Sequence, residues 1–261
     1  MWLRLCELVL LGIVAGGAGS LTGIGGGLII TPVLTLVFGV PIHQAIATSL
    51  CCVIATSSGA AASYIEQRLS DIRLGMTLEL ATTVGAISGS LVAAILSREA
   101  LAILFAFLLT YAGATMVRRS QGAEAVKAGG VEMYQVKRLP LGLCGSGAAG
   151  VVSGMLGVGG GVIKVPLMYL VMGVPFKVAT ATSNFMIGVT AAASAFIYYA
   201  RGDVRPLITA PTAVGVFLGA GLGARFLRRT PSRWLILLFS FIAFYFAAIM
   251  IWKSLHGGFA Q

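Results

Sequence analysis

Apolar residues run along this chain in long stretches, and polar residues collect in the short breaks between them. The runs span 5–38, 45–66, 76–97, 100–117, 141–172, 179–200, 207–227 and 234–252. Most approach or exceed the roughly 20 residues a helix needs to cross a bilayer core. Apolar and polar positions do not alternate within them, which argues against a membrane β-barrel. The pattern predicts an all-α, polytopic membrane helix bundle. Two runs are too long for a single crossing: 5–38 holds 34 residues and 141–172 holds 32. Each carries a glycine cluster near its middle, Gly25-Gly26-Gly27 and Gly159-Gly160-Gly161, followed by Pro32 or Pro166. Inside a helix each glycine costs about 1 kcal/mol relative to alanine, and proline removes a backbone donor. Lipid cannot satisfy exposed peptide groups, so these breaks must face protein or a water-filled cavity. Each long run is then either one kinked crossing or a hairpin that enters, breaks and returns.

The pattern occurs twice. Residues 25–49 align without a gap to residues 159–183, 134 positions later, with 14 identities in 25. The matched features include Gly39-Val40-Pro41 with Gly173-Val174-Pro175, and Ala47-Thr48-Ser49 with Ala181-Thr182-Ser183. Further on, Asp71-Ile72-Arg73 pairs with Asp203-Val204-Arg205 across a two-residue gap, and the Gly85/Gly89 pair with Gly215/Gly219. Small residues four apart give a flat helix face that lets a neighbouring backbone approach, and Gly223 extends it. The expected organisation is two homologous repeats, 1–117 and 139–261, joined by a polar connection over 118–138. Each repeat opens with a Gly/Pro-broken segment.

Composition sharpens this picture. With 58% apolar residues, 10% charged residues and a mean hydropathy of +0.97, the chain is no soluble domain. Its net charge of +10 would suggest nucleic acid in a soluble protein. Here the charges sit between the runs, so membrane topology accounts for them and no nucleic-acid partner is expected. The excess of Lys and Arg also separates the two geometries. Single crossings divide the basic residues 11 to 6 and leave the cluster from Arg225 to Arg233 outside. Returning hairpins divide them 12 to 5, with Arg68, Arg73, the 118–138 segment, Lys177 and that cluster on one side. The positive-inside rule prefers the hairpins. Three crossings per repeat then invert the second copy and place both termini outside. Arg4 precedes an apolar run that continues into the glycine motif with no small-residue cleavage site, so a retained helix is expected. Four cysteines and two histidines form no C-x-x-C pair or zinc set, and no cofactor is expected.

Candidate chemistry gathers at the breaks. A short helix should begin after each, with unpartnered N–H groups and a positive dipole end that favours anions. Gly25, Gly26, Gly27, Gly159, Gly160 and Gly161 would let a ligand approach the backbone; tight helix crossing is the alternative role. Lys164 lies three residues past Gly161 in apolar sequence, where the first copy has Ile30. A charge at such depth costs several kcal/mol unless paired or hydrated. No acidic residue lies within a helical turn, so either a distant carboxylate or an anionic substrate must meet it. Thr48, Ser49, Thr182, Ser183 and Asn184 offer hydroxyl and amide donors, or else bond back to carbonyls. His43 and Lys177 occupy equivalent positions after Val-Pro, as solvated loop residues or an entrance bias. Glu66 and Glu79 read as interfacial partners of Arg68 and Arg73, with proton shuttling as the alternative. Cys51 and Cys52 read as packing residues. Trp2, Trp234, Trp252 and Tyr111 fall near segment ends, as an aromatic belt requires.

These residues resemble the sulfite exporter TauE/SafE family. The likeness rests on Gly23-Ile-Gly25-Gly26-Gly27 with Pro32, on Gly157-Val-Gly159-Gly160-Gly161-Val-Ile-Lys164-Val-Pro166, and on the stretch from Gly173 to Gly188. It covers essentially the whole chain. The resemblance implies an anion transporter of the plasma membrane, with sulfite, sulfonates and related anions as the leading substrates. It carries the glycine and Thr/Ser positions named above over as the site. The resulting expectation is a secondary transporter that exports a small anion, with the lipid bilayer as its setting. Coupling to a proton or another ion, and homo-oligomerisation, stay open. A passive anion channel uses the same residues. A membrane-embedded enzyme or sulfur-delivery protein has little support, because the sequence offers no nucleophile with a nearby base and no nucleotide fingerprint.

Overall fold

The computed structural model describes residues 2–122, 134–226 and 232–255. Among the described residues there is no strand. The helices are α1 (Trp2–Thr22), α2 (Gly27–Leu36), α3 (Ile42–Glu66), α4 (Ile72–Ile95), α5 (Arg98–Gly122), α6 (Leu139–Leu156), α7 (Gly161–Pro166), α8 (Phe176–Ala200), α9 (Pro206–Phe226) and α10 (Ser232–Leu255). Seven of them, α1, α3, α4, α5, α6, α8 and α9, are long and apolar enough to cross a membrane. Large apolar side chains such as Leu80, Ile95, Phe107, Phe196, Leu207 and Phe241 point outward around the bundle. That surface is stable only where lipid covers it. The fold is an all-α, multi-pass membrane bundle.

Both long runs break at their glycines and return. Gly23, Gly25 and Gly26 have left-handed backbone, as do Gly157, Gly159 and Gly160. Residues with a side chain enter that region only at a cost. The turn folds α2 back along α1, so a Cβ at Gly26 would lie 2.8 Å from the Ala15 carbonyl oxygen. The second turn brings Gly160 equally close to α6, 3.1 Å from the Ala149 carbonyl oxygen on the same measure. The kinked-crossing geometry is therefore not adopted. Gly39 and Gly173, again left-handed, end the short helices. There Val40 N–H donates to the Leu34 carbonyl at 3.0 Å and Val174 N–H to that of Met168 at 2.9 Å. Pro41 and Pro175 then start α3 and α8. Pro166 has no N–H to give, and the ladder beyond it widens to a π-helical turn over Leu167–Val171.

Close glycine contacts set the helix directions. Gly12, Gly16 and Gly17 on α1 meet Thr212, Val216 and Gly219 on α9 in turn, so the two helices run parallel. Gly150 and Gly154 on α6 meet Thr82 and Ala86 on α4 in the same way. α3 runs with α9, from the Thr48–Thr209 contact to the Gln67 bond on the Ala224 carbonyl. α8 runs with α4, from Thr182 beside Asp71 to Ser194 beside Ala86. His43, opening α3, approaches the carbonyl of Ala93, near the end of α4. Thus α1, α3 and α9 point one way, and α4, α6 and α8 the other.

Equivalent contacts recur at a constant spacing of 134 residues. Gly219 abuts the Ile13 carbonyl as Gly85 abuts that of Gly147, and Gly223 abuts that of Gly17 as Gly89 abuts that of Val151. Tyr64 donates to the Ser20 carbonyl at 2.7 Å, and Tyr198 to that of Gly154 at 3.2 Å. The packing therefore pairs Gly85/Gly89 with Gly219/Gly223, and Asp71 with Arg205, without a gap. The sequence match to Gly215/Gly219 is one helical turn out of step, because a row of glycines at every fourth position aligns equally well after such a slip. Residues 123–133 of the polar connection and 227–231 of the basic cluster lie outside the described residues. So do the side chains of Trp2, Arg118, Arg119, Arg233, Trp234 and Lys253.

Candidate functional site

The two bends interlock halfway along α3 and α8. A Cβ on Gly27 would stand 2.6 Å from the Gly157 carbonyl oxygen and 3.1 Å from Val158 Cα. A Cβ on Gly161 would collide with the Gly23 carbonyl oxygen and stand 2.9 Å from Ile24 Cα. Each bend therefore needs glycine where it crosses the other. Val53 of α3 and Ile187 of α8 press on both Gly25 and Gly159 and close the centre with apolar surface. Gly25, Gly26, Gly27, Gly159, Gly160 and Gly161 are all buried.

The hydroxyls hold this crossing together. Ser49 Oγ donates to the Gly157 carbonyl at 2.7 Å, and Ser183 Oγ to that of Gly23 at 2.9 Å. Each serine thus binds the bend of the other half. Thr56 Oγ1 donates to the Gly25 carbonyl at 3.1 Å. Thr48 bonds Thr209 at 3.1 Å, and Thr182 Oγ1 accepts from the backbone N–H of Asp71 at 2.9 Å. Asn184 Nδ2 donates to the carbonyls of Ser20 at 3.0 Å and Thr180 at 3.2 Å, while its Oδ1 has no partner. All twelve residues singled out from the sequence are buried, but Thr48 and Thr182 bond away from the crossing, to Thr209 near the start of α9 and to Asp71 just before α4. In this conformation the Ser49 and Ser183 hydroxyls and the Asn184 amide are occupied by backbone carbonyls across the crossing, and only Asn184 also bonds back to its own helix, at Thr180.

Lys164 meets a carboxylate. Its ammonium is fully buried, lies 3.2 Å from Glu79 Oε2 and donates to Thr190 Oγ1 at 2.9 Å. Thr190 Oγ1 in turn donates to Glu79 Oε1, as does Thr83 Oγ1 at 3.3 Å. The pair joins α4 of the first half to α7 and α8 of the second. This corrects the placement of Glu79 as an interfacial partner of Arg73. Helix α4 starts at Ile72, four residues before the apolar run. Glu79 is therefore about two turns inside, on the buried face, while Arg73 is exposed at the end. A usable signal was present: Glu79 is the sole acidic residue on α4, α6, α7 and α8. A buried base and a buried acid are each costly alone and together account for one another. Thr190 carried no comparable signal.

The entrance candidates sit apart from the crossing. His43 Nε2 lies 3.4 Å from the Ala93 carbonyl oxygen at the helix ends, and Lys177 is half-buried at the start of α8. Cys52 is buried and Cys51 half-buried, both packed into the apolar core. Just before α6, the Tyr134 hydroxyl donates to Asp71, whose other oxygen caps α4 through the N–H of Leu74 at 2.9 Å. Burial, and then that bond to Asp71, push the Tyr134 phenol above its ordinary range.

Comparison with known proteins places the sequence. The family model described as "Sulfite exporter TauE/SafE" matches residues 8–250. A probable membrane transporter protein, YunE, from Bacillus subtilis is 25% identical over 95% of this chain and 97% of its own length. A probable membrane transporter protein from Xylella fastidiosa is 30% identical over 92% of each chain. One from Methanocaldococcus jannaschii, MJ0441, is 27% identical over 90% of this chain and 91% of its own. No solved structure matches. With matched sequence running from α1 into α10 and both glycine hairpins inside it, the chain belongs to the sulfite exporter TauE/SafE family of membrane transporters.

Proposed function

We propose that the protein is a secondary transporter of the plasma membrane that exports a small sulfur-containing anion such as sulfite or a sulfonate. The observation that carries this reading is Lys164, a buried ammonium beside two crossed glycine bends, tied to a carboxylate on the other half. Intramembrane ionisable residues of this kind mark substrate and ion pathways. The helix directions support an inverted arrangement: α1 and α6 open the two halves and point opposite ways, and the contacts recur 134 residues apart. Inverted repeats with broken helices at mid-depth suit alternating access, one half rocking against the other around a central site. The anion binds between the bends with Lys164 as countercharge, and Ser49 and Ser183 exchange carbonyl partners as the halves move. The basic residues put the 118–138 segment in the cytoplasm and both termini outside.

A thermal-shift screen of the purified protein tests this, using sulfite, sulfate, thiosulfate, sulfoacetate and simple carboxylates. A true ligand at a hundred times its Kd adds about 2.7 kcal/mol of stability. Sulfur oxyanions should stabilise the wild type, and Lys164→Met should abolish the shift. Undiminished oxyanion binding by Lys164→Met rejects the countercharge role.

A further inference from the structure

The Lys164–Glu79 pair neutralises itself, so an anion that binds Lys164 must leave Glu79 without its counter-ion. We propose that Glu79 is the proton-carrying residue of this transporter. An entering monoanion displaces its carboxylate from the ammonium, and the freed carboxylate takes up one proton, so anion and proton travel together one to one and export runs down the anion's own gradient. This rests on the reading of the preceding section. The charge balance is direct. The empty site holds one ammonium and one carboxylate and sums to zero. The loaded site holds an ammonium, a monoanion and a neutral carboxylic acid and again sums to zero. The proton comes from whichever aqueous face the site is open to, and it leaves when the anion leaves and the ion pair re-forms. A carboxylate left charged and unpaired at this depth would cost several kcal/mol.

Three features of the structure favour Glu79 as the carrier. Its side chain keeps 9% exposure where Lys164 keeps none, so the acid is the less enclosed of the two. Its hydrogen-bond partners serve both protonation states. Thr190 Oγ1 donates to the carboxylate now, and has the Met186 carbonyl as a second acceptor at 3.4 Å. With its hydrogen turned to Met186, the hydroxyl can accept from a protonated Glu79. Beside Lys164 there is also a buried donor with nothing to bind. Ser153 Oγ on α6 has no partner, and Ser153 Cβ and Lys164 Cε crowd the same side of Gly160, 3.4 and 3.3 Å from where a Cβ would stand. An anion on Lys164 would give that hydroxyl an acceptor.

No other carboxylate competes on the surrounding helices. On α4 the other charged group is Arg73, exposed at the helix end. Helix α6 offers Cys144, exposed on its outer face, and the π-turn offers Tyr169, set edge-to-face against Phe176. On α8, Lys177 is near the start, Tyr198 donates to the Gly154 and Met155 carbonyls, and Tyr199 is exposed. On α3, which packs against α8, Tyr64 bonds Ser20, Cys52 is buried in the core beside Cys51, and His43 and Glu66 are at the ends. The positions related by the 134-residue spacing hold no equivalent pair. At the 134-residue spacing Lys164 corresponds to Ile30 and Glu79 to Ala213. One proton site per chain is therefore expected.

The experiment uses the full-length protein in detergent with methanesulfonate, an anion whose charge is fixed, as the probe. Binding is followed by thermal shift and by proton uptake from weakly buffered solution with a pH-indicating dye. Wild type should take up close to one proton per anion bound, and difference infrared spectra should gain a protonated-carboxyl band. Glu79→Gln should bind with no proton uptake, no such band and pH-independent affinity. In proteoliposomes an inward acid gradient should drive accumulation by wild type and not by Glu79→Gln. If the single variant does not fold, the infrared signal of the wild type decides alone. Binding to wild type without proton uptake or carboxyl band overturns this inference and leaves the transport reading standing. Absence of any shift with methanesulfonate and every anion of the screen overturns both.

Discussion

Lys164 and Glu79 are affordable in this fold only together. Removing one partner of a buried pair leaves an uncompensated charge and costs about 3–5 kcal/mol, whereas removing both is often close to neutral. Lys164→Met and Glu79→Gln should each lower the unfolding midpoint in detergent substantially, and the double variant should recover most of the loss. Additive losses in the double variant would mean that the two side chains act independently. The serines make a second residue-scale case. Ser49→Ala strips the Gly157 carbonyl of its donor, and Ser183→Ala does the same to that of Gly23. An orphaned buried acceptor costs about 1–3 kcal/mol, so the two variants should be destabilised by similar amounts in a denaturant titration. A loss confined to one of them would contradict the matched roles of the two bends. Of these four residues the sequence marked Lys164, Ser49 and Ser183. It left Glu79 at the membrane surface, because nearby arginines offered a local partner and nothing local showed that α4 starts early enough to carry the acid inside.

At the scale of elements, contact between helix backbones decides which glycines matter. Gly150 and Gly147 lie on the same helix, less than a turn apart. A Cβ at Gly150 would strike the Thr82 carbonyl, whereas one at Gly147 would rest 3.7 Å from that of Ala81, an ordinary contact. Gly150→Ala should therefore destabilise by about 1–3 kcal/mol through overpacking. Gly147→Ala should be neutral or stabilise by up to about 1 kcal/mol through helix propensity. Thermal melts of the two variants check the contrast, and equal effects would remove backbone contact as the cause. The elements themselves were legible. The runs 45–66, 76–97, 100–117, 179–200, 207–227 and 234–252 end within about five residues of α3, α4, α5, α8, α9 and α10, because those helices are bounded by Gly, Pro or charge, whereas 5–38 and 141–172 each cover two helices whose inner ends they did not mark. The return of the two hairpins was legible only through the distribution of Lys and Arg, since a Gly-Gly-Gly bend permits either geometry. The register of the later glycine match was not legible, because helical faces that repeat every four residues carry no unique phase.

The whole molecule is a bundle in which α1 packs on α9, α6 on α4, α3 on α8 and α5 on α10. In the proposed topology the 118–138 connection and the turn after α9 face the cytoplasm. A reporter fused at the C-terminus should then be active only outside the cytoplasm, and a fusion active only inside would overturn the inverted orientation. In this conformation Val53 and Ile187 seal the centre of the crossing, and the lysine at its edge is held by Glu79. A continuous pore would need that seal to open without closing elsewhere. Uptake of radiolabelled sulfite into proteoliposomes reaches the central claim most directly, with wild type and Lys164→Met compared across a range of external concentrations. Saturable uptake by wild type, competed by other sulfur oxyanions and lost in Lys164→Met, is the predicted result. Flux that rises linearly without saturation, or saturable flux that survives loss of the lysine, would contradict it.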